Sequence, residues 1–233
     1  KTSAKAATTH LSIPKRNGWQ NTLSARKTAI LEYNQQMAAK RDDWRAKNAG
    51  FYDDDMAFLR FLIPEGSRIL DMVDVARSTY PEHEYPELQF RVGDVEQLRS
   101  LRGELAGPYD FILLSDTLGF VDDCQAMLEQ IHDLCDEETR IVITYYSHLW
   151  EPVLRAGEAT GLKMPQPEVN FLSPADIGNI LGLSDFDVIK TEWRQLVPAR
   201  LFGVGTAINR YIGTLPVIRK LSLRPFIVAR AQR

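Results

Sequence analysis

A chain of 233 residues with 44% apolar and 25% charged side chains has room for one large α/β domain that buries a real core. No window approaches the roughly 20 apolar residues that cross a bilayer, and the polar, basic stretch Lys1–Gln20 lacks an apolar signal-peptide core. The net charge of −3 conceals an asymmetry: residues 1–50 carry ten Lys/Arg against three acids, 51–192 ten against twenty-eight, and 193–233 eight against none.

An acidic body argues against a nucleic-acid groove at its centre, so no nucleic-acid partner is expected. The basic ends either meet an anionic partner or pack over the acidic face. The chain begins at Lys1 rather than Met, so further residues are expected ahead of it.

Residues 1–20 read as a poorly ordered arm. From Thr22 to Asn48 the pattern is helical, with Leu23, Ile30, Leu31, Met37 and Trp44 among polar residues. We divide the chain there, into an arm and helix over 1–50 and a main domain over 51–233. A second helix is expected over Asp53–Leu62, ended by Pro64-Glu65-Gly66. Ser67–Asp71 is a short apolar strand ending in an acid, Met72–Thr79 reads as the middle of a helix, and Gln89–Val92 is a strand followed by Gly93-Asp94.

Tyr109–Ser115 is an apolar strand of the kind a parallel sheet buries on both faces. The next helix, Asp122–Cys135, has a core stripe of Cys124, Met127, Leu128, Ile131 and Leu134. Its two cysteines, the only ones in the chain, are too few for a disulfide framework and read as small core residues in a reducing, cytoplasmic compartment. Arg140–Tyr146 is a strand rich in β-branched residues. Ser173-Pro174-Ala175-Asp176 caps a helix ending near Leu183. Phe186–Leu196 and Pro225–Ala229 are the last strands, separated by a helical stretch, Leu201–Lys220, broken at Pro216. Strands alternating with helices indicate a parallel sheet with helices on both faces.

The succession Ser67-Arg68-Ile69-Leu70-Asp71, Gly93-Asp94-Val95-Glu96 and Phe111-Ile112-Leu113-Leu114-Ser115-Asp116 resembles three strands of the class I S-adenosylmethionine-dependent methyltransferases. The resemblance extends from Tyr52 to the end of the chain, through Phe186–Pro198 and Phe226–Arg230. It implies an α/β, Rossmann-like, mostly parallel seven-stranded sheet with helices on both faces and an antiparallel last strand. The family also has a glycine-rich turn after the first strand, then a helix and a second strand whose terminal acid holds the ribose. Here Leu70-Asp71 runs straight into Met72-Val73-Asp74-Val75. About 20 residues separate that turn from the ribose acid in Rossmann folds, so roughly that many are expected to be absent between Asp71 and Met72, one strand with them.

S-adenosylmethionine, the cofactor so implied, carries a sulfonium, an ammonium and an adenosine but no phosphate. Its pocket calls for carboxylates and acceptors, unlike a phosphate site at a helix N-terminus. The resemblance assigns Asp71 to the ammonium, Asp94 to the adenine amino group, the Val95 amide to a ring nitrogen, and Ser115 with Asp116 to the methionine side. Tyr52 matches an aromatic that leans on the cofactor. Each acid is equally readable as a turn or helix cap, and Tyr52 as a helix-packing residue; what favours the cofactor is their order on successive strands.

Methyl transfer needs mainly alignment, with a base where the acceptor has a proton to lose. Tyr145, Tyr146 and Trp150 are candidates for an acceptor pocket and His148 for the base, though an aromatic loop packing on the next helix explains them as well. The stretch 200–222 reads as an insertion at the acceptor mouth. With Arg200, Arg210, Arg219 and Lys220 among apolar residues, 200–224 suits either peripheral contact with a membrane surface or a plain lid. The expected reaction is O-methylation of a small or lipid- or sugar-linked acceptor, since relatives of this type accompany glycosyltransferases. Its rival is a non-catalytic Rossmann-like module that docks a partner through its basic ends.

Overall fold

The computed structural model describes residues 23–72, 93–105, 107–161, 163–166, 170–197, 204–213 and 215–232. Helix α1 (Ala25–Lys47) and helix α2 (Ala49–Leu62) precede strand β1 (Ile69–Asp71). A 3-10 turn, Val95–Gln97, leads into the short helix α3 (Leu98–Leu101), and strand β2 (Phe111–Ser115) follows. Helix α4 (Cys124–His132) connects β2 to strand β3 (Arg140–Thr144). Another 3-10 turn, His148–Trp150, opens helix α5 (Glu151–Ala159), and helix α6 (Pro174–Leu183) feeds strand β4 (Phe186–Arg194). Helix α7 (Val204–Tyr211), a 3-10 turn at Ile218–Leu221 and strand β5 (Arg224–Ala231) complete the chain.

The sheet order is β1-β2-β3-β5-β4, with β1, β2 and β3 parallel and β5 antiparallel to both of its neighbours. The antiparallel last strand is as expected. Seven strands are not found: five are present among the described residues, and Gln89–Val92, expected to be another, lies outside them. Met72 itself is not helical, and the rest of the helix expected there, 73–79, lies outside the described residues. The Met72 amide donates to the Leu113 carbonyl at 3.1 Å, so pairing with β2 continues past Asp71, and the expected break at this point is not supported.

The central strands carry the core. Ile112 and Leu114 on β2, Ile141 and Ile143 on β3, and Ile227 and Ala229 on β5 are essentially sealed from solvent. Helix α4 covers this layer with Met127, Leu128 and Ile131, whose spacing puts them on one face, and α6 adds Ile177 and Leu181 one turn apart. The termini of these helices follow from their caps. Asp123 accepts from the Ala126 amide at 2.9 Å, and Ser173 and Asp176 form a reciprocal capping box with Pro174 at the first helical position. Both cysteines pack partly buried against the core, and burial pushes their thiols up to about 11 for Cys124 and about 12 for Cys135. They are inert packing groups at neutral pH. No helix among the described residues is long and apolar enough to cross a membrane.

Because Leu114 is fully enclosed, Leu114→Ala leaves a cavity that its neighbours refill only in part. We expect a loss of about 2–5 kcal/mol in unfolding free energy, measured by urea denaturation.

Candidate functional site

The carboxyl ends of β1, β2 and β3 point the same way, and the residues singled out in the sequence collect there. Asp71 ends β1 beside Leu113, and the Thr117 hydroxyl, just past β2, donates to the Met72 carbonyl at 3.2 Å. Asp94 caps the turn Val95–Gln97, its carboxylate accepting from the Glu96 amide at 3.0 Å. The Glu96 carboxylate in turn accepts from the Asp122 and Asp123 amides at 3.0 and 2.7 Å, which ties this turn to the loop after β2. Ser115 ends β2 and Asp116 follows it, while Tyr145 and Tyr146 follow β3. Thus Asp71, Asp94 and Asp116 share one end of the sheet, where open α/β sheets bind ligands.

Two cations missed by sequence reasoning organise these acids. Lys27, one turn into α1, contacts Asp94 at 2.8 Å and also pairs with Glu96. Burial opposes its charge, yet hydrogen bonds to the two carboxylates prevail and its ammonium titrates above the usual lysine range. Arg26 beside it binds Asp122 at 2.9 Å and the Gly119 carbonyl at 3.1 Å. Within the described part of the basic N-terminal segment, Arg26 and Lys27 thus pair with acids of the body, in line with one of the two alternatives the charge asymmetry left open.

The second cation is Arg224, at the start of β5 and only 4% exposed. Its Nε donates to Asp55 of α2 at 2.9 Å, an Nη pairs with Asp116, and the other Nη reaches the Thr144 hydroxyl at 3.3 Å. The guanidinium also lies 4.6 Å from the Tyr146 ring centroid. Burial disfavours its charge, but Asp116 and Asp55 outweigh that and raise its pKa further. Gln195 closes the cluster by donating to Asp55 at 3.2 Å. No local signal singles it out, because β5 also carries Arg230, and the sequence groups it with the cations of 200–224.

Beside Asp116 lies a small, partly open recess with a cavity volume of about 20 Å³, walled by Gly119, Tyr145, Tyr146, Gln166, Asn170 and Ile177 among others. Tyr145 is 5% exposed and its buried hydroxyl has no hydrogen-bond partner. Burial raises both phenols well above the ordinary range, so they remain protonated donors. Tyr52 packs edge-on against Phe51 at 5.2 Å with Arg45 over its ring, near the Arg224 cluster.

His148 and Trp150 sit on the turn behind these tyrosines and do not line the recess. The His148 Nδ1 is buried without a partner, and the Trp150 indole donates to the Leu221 carbonyl at 2.7 Å. Asp71 reaches solvent at the strand tip, yet the protein packed around it desolvates its carboxyl and raises it to about 6.

Removing Arg224 strands two carboxylates. Arg224→Met is expected to cost about 3–5 kcal/mol in unfolding free energy at neutral pH. Burial already raises the Asp55 carboxyl and Arg224 opposes that, so in the variant its folded pKa lies above its unfolded one and the cost applies while it is ionised. Stability should recover as pH falls through that folded pKa, which urea titrations between neutral and mildly acidic pH would detect.

Comparison with known proteins agrees with this architecture. An S-adenosylmethionine-dependent methyltransferase of Thermotoga maritima, described as a possible histamine N-methyltransferase, superposes with a TM-score of 0.59 at 12% identity, covering 86% of this chain and 99% of its own. The magnesium protoporphyrin IX methyltransferase of Synechocystis gives 0.51 at 15% identity, covering 89% and 100%. At such identities the likeness concerns the fold alone. No curated protein matches the sequence. Residues 70–191, more than half of the chain, match the family described as a methyltransferase domain, and the chain therefore belongs to that family of S-adenosylmethionine-dependent methyltransferases.

Proposed function

We propose that the carboxyl end of the sheet holds the methyl donor across Asp71, Asp94 and Asp116, and that the adjoining recess takes the acceptor. The observation that carries this reading is the placement of Asp71 and Asp116 at adjacent strand ends, with Asp94 on a turn tied to the loop after β2, beside a recess lined by Asp116 and a sealed, unpartnered phenol. Such a donor set suits a cationic ligand with amino groups and no phosphate. When bound, S-adenosylmethionine supplies a methyl group on a positively charged sulfur that leaves readily. In this assignment Asp71 takes the ammonium, Asp94 the adenine amino group and the Val95 amide a ring nitrogen. Ser115 and Asp116 face the methionine side, and Tyr52 lies behind the Arg224 cluster.

The chain's own contribution is placement. Arg224 holds Asp116 at the recess wall, and Tyr145 offers a hydroxyl proton to an acceptor atom. The uncharged amides and phenols of Gln166, Asn170, Tyr145 and Tyr146 suit a hydroxyl-bearing acceptor, which favours oxygen as the methylated atom and a small or lipid- or sugar-linked molecule as its carrier. Asp116 is better placed than His148 to meet that acceptor, because it is on the recess wall and the imidazole is not. Trp150 acts through its hydrogen bond to Leu221, as a brace for the acceptor loop.

One observation favours the rival, a non-catalytic module: Lys27 already neutralises Asp94. Calorimetric titration with S-adenosylhomocysteine separates the two. The enzyme reading expects saturable binding, weakened at least about tenfold by Asp94→Ala, the equivalent of a charge-assisted hydrogen bond worth about 1.5–3 kcal/mol. Absence of binding to the folded full chain would establish the module instead.

The pH dependence follows from Asp71. Only its carboxylate form holds an ammonium, and its carboxyl is raised to about 6. Affinity should be level above pH 6 and fall about tenfold per unit below it, a dependence that Asp71→Asn abolishes.

A further inference from the structure

The stretch between β4 and β5 ends in an exposed apolar tip. Tyr211 is 70% exposed, Val217 79%, Leu221 51%, Leu215 48% and Ile212 43%. All lie between the last turn of α7 and the 3-10 turn before β5. Single exposed apolar residues are ordinary, but a run of them at one tip marks an interaction surface. Two exposed cations, Arg210 and Lys220, flank the tip, and no acid occurs in the sequence from Trp193 to Arg233.

We infer that this tip docks on an anionic bilayer surface, its apolar side chains entering the headgroup region and Arg210 and Lys220 meeting lipid phosphates. Shallow apolar insertion and basic attraction are individually weak at an interface, and reversible docking takes both together. Charge complementarity selects this occupant: Arg210 and Lys220, the exposed cations flanking the tip, have no acid beside them within 193–233, so the face they meet is expected to be anionic. Docking stands independently of the methyl-donor reading.

A consequence for the acceptor does rest on that reading. The tip is tied to the loop that walls the recess, since the Ser147 amide donates to the Leu223 carbonyl at 2.9 Å, the Tyr145 amide to Pro225 at 3.4 Å, and the Trp150 indole to Leu221 at 2.7 Å. A docked tip places Tyr145–Trp150 close to the lipid surface, which suits an amphiphilic, membrane-held hydroxyl acceptor over a freely soluble one.

The test is co-sedimentation of the full chain with vesicles of phosphatidylcholine alone or with about 30% phosphatidylglycerol. The wild type is expected to sediment with the anionic vesicles, to remain in solution with the neutral ones, and to be released as salt rises. Val217→Asp, and separately Arg210→Glu with Lys220→Glu, should each lower partition roughly tenfold or more. These are surface positions, so melting temperature and S-adenosylhomocysteine binding should be unchanged, which keeps failure of docking distinct from failure of donor binding. A wild type that stays in solution with anionic vesicles overturns the inference, as does sedimentation unaffected by any of these substitutions. A wild-type dimer that Val217→Asp converts to monomer, with vesicle partition unaltered, also overturns it and makes the tip a contact between copies of this chain.

Discussion

Arg224 is the hinge of the structure's charge. Its guanidinium joins α2 through Asp55, the end of β2 through Asp116 and the end of β3 through Thr144, partners 169, 108 and 80 residues away in sequence. In a poorly screened interior such a cation is tolerable only when carboxylates surround it, and the carboxylates only with it present. The Tyr146 ring face adds favourable quadrupole contact. The cluster also has a local effect. Asp116 adopts a positive φ of 57°, a conformation that aspartate enters at a cost of about 1–2 kcal/mol. Pairing with Arg224 holds it there, and the carboxylate consequently faces the recess rather than continuing β2.

The same logic accounts for the basic segment at the other end of the chain. Strand tips that collect Asp71, Asp94, Glu96, Asp116 and Asp122 generate mutual repulsion, which Lys27, Arg26 and Arg224 offset from two remote parts of the sequence. A cationic ligand for these tips therefore meets a site already poised for positive charge. In the proposed assignment an amino group reaching Asp94 competes with the Lys27 ammonium, whereas an ammonium reaching Asp71 meets a carboxyl that desolvation has left partly protonated near pH 6. The two acids thus differ in what a ligand must overcome: at one a competing lysine, at the other a proton.

Much of the sheet was legible in the sequence because burial on both faces demands unbroken apolar runs. Phe111–Leu114 and Ile141–Ile143 have no other plausible use, and their positions hold to within two residues or so. The cap at Ser173 was equally plain, since side-chain chemistry and a proline at the first turn act over three residues. Helices α3 and α5 were given no bounds: α3 is four residues long, and α5 is nine, with half-buried rather than sealed side chains, so each offers too short an apolar pattern to delimit. Within the site, the strand-end acids could be found because position along a strand is a local property. Lys27 and Arg224 could not, because a charged residue's partner is fixed by tertiary packing, and nothing in the neighbouring sequence distinguishes a buried cation from a solvated one. His148 lies on the 3-10 turn that follows Ser147, a step with no apolar periodicity to announce it, and it is not among the residues walling the recess.

The antiparallel final strand is what brings these pieces together. A parallel β5 would begin at the opposite end of the sheet from the strand-end acids. By running back alongside β3, it starts at their carboxyl ends, so Arg224 enters the core at the level of Thr144 and Asp116. The residues just before it, 221–223, then lie beside the loop after β3 and supply carbonyls to Trp150 and Ser147. Reversal of one strand therefore places the buried cation, the aromatic acceptor loop and the exposed basic tip at one end of the molecule, linked by a few residues of continuous backbone.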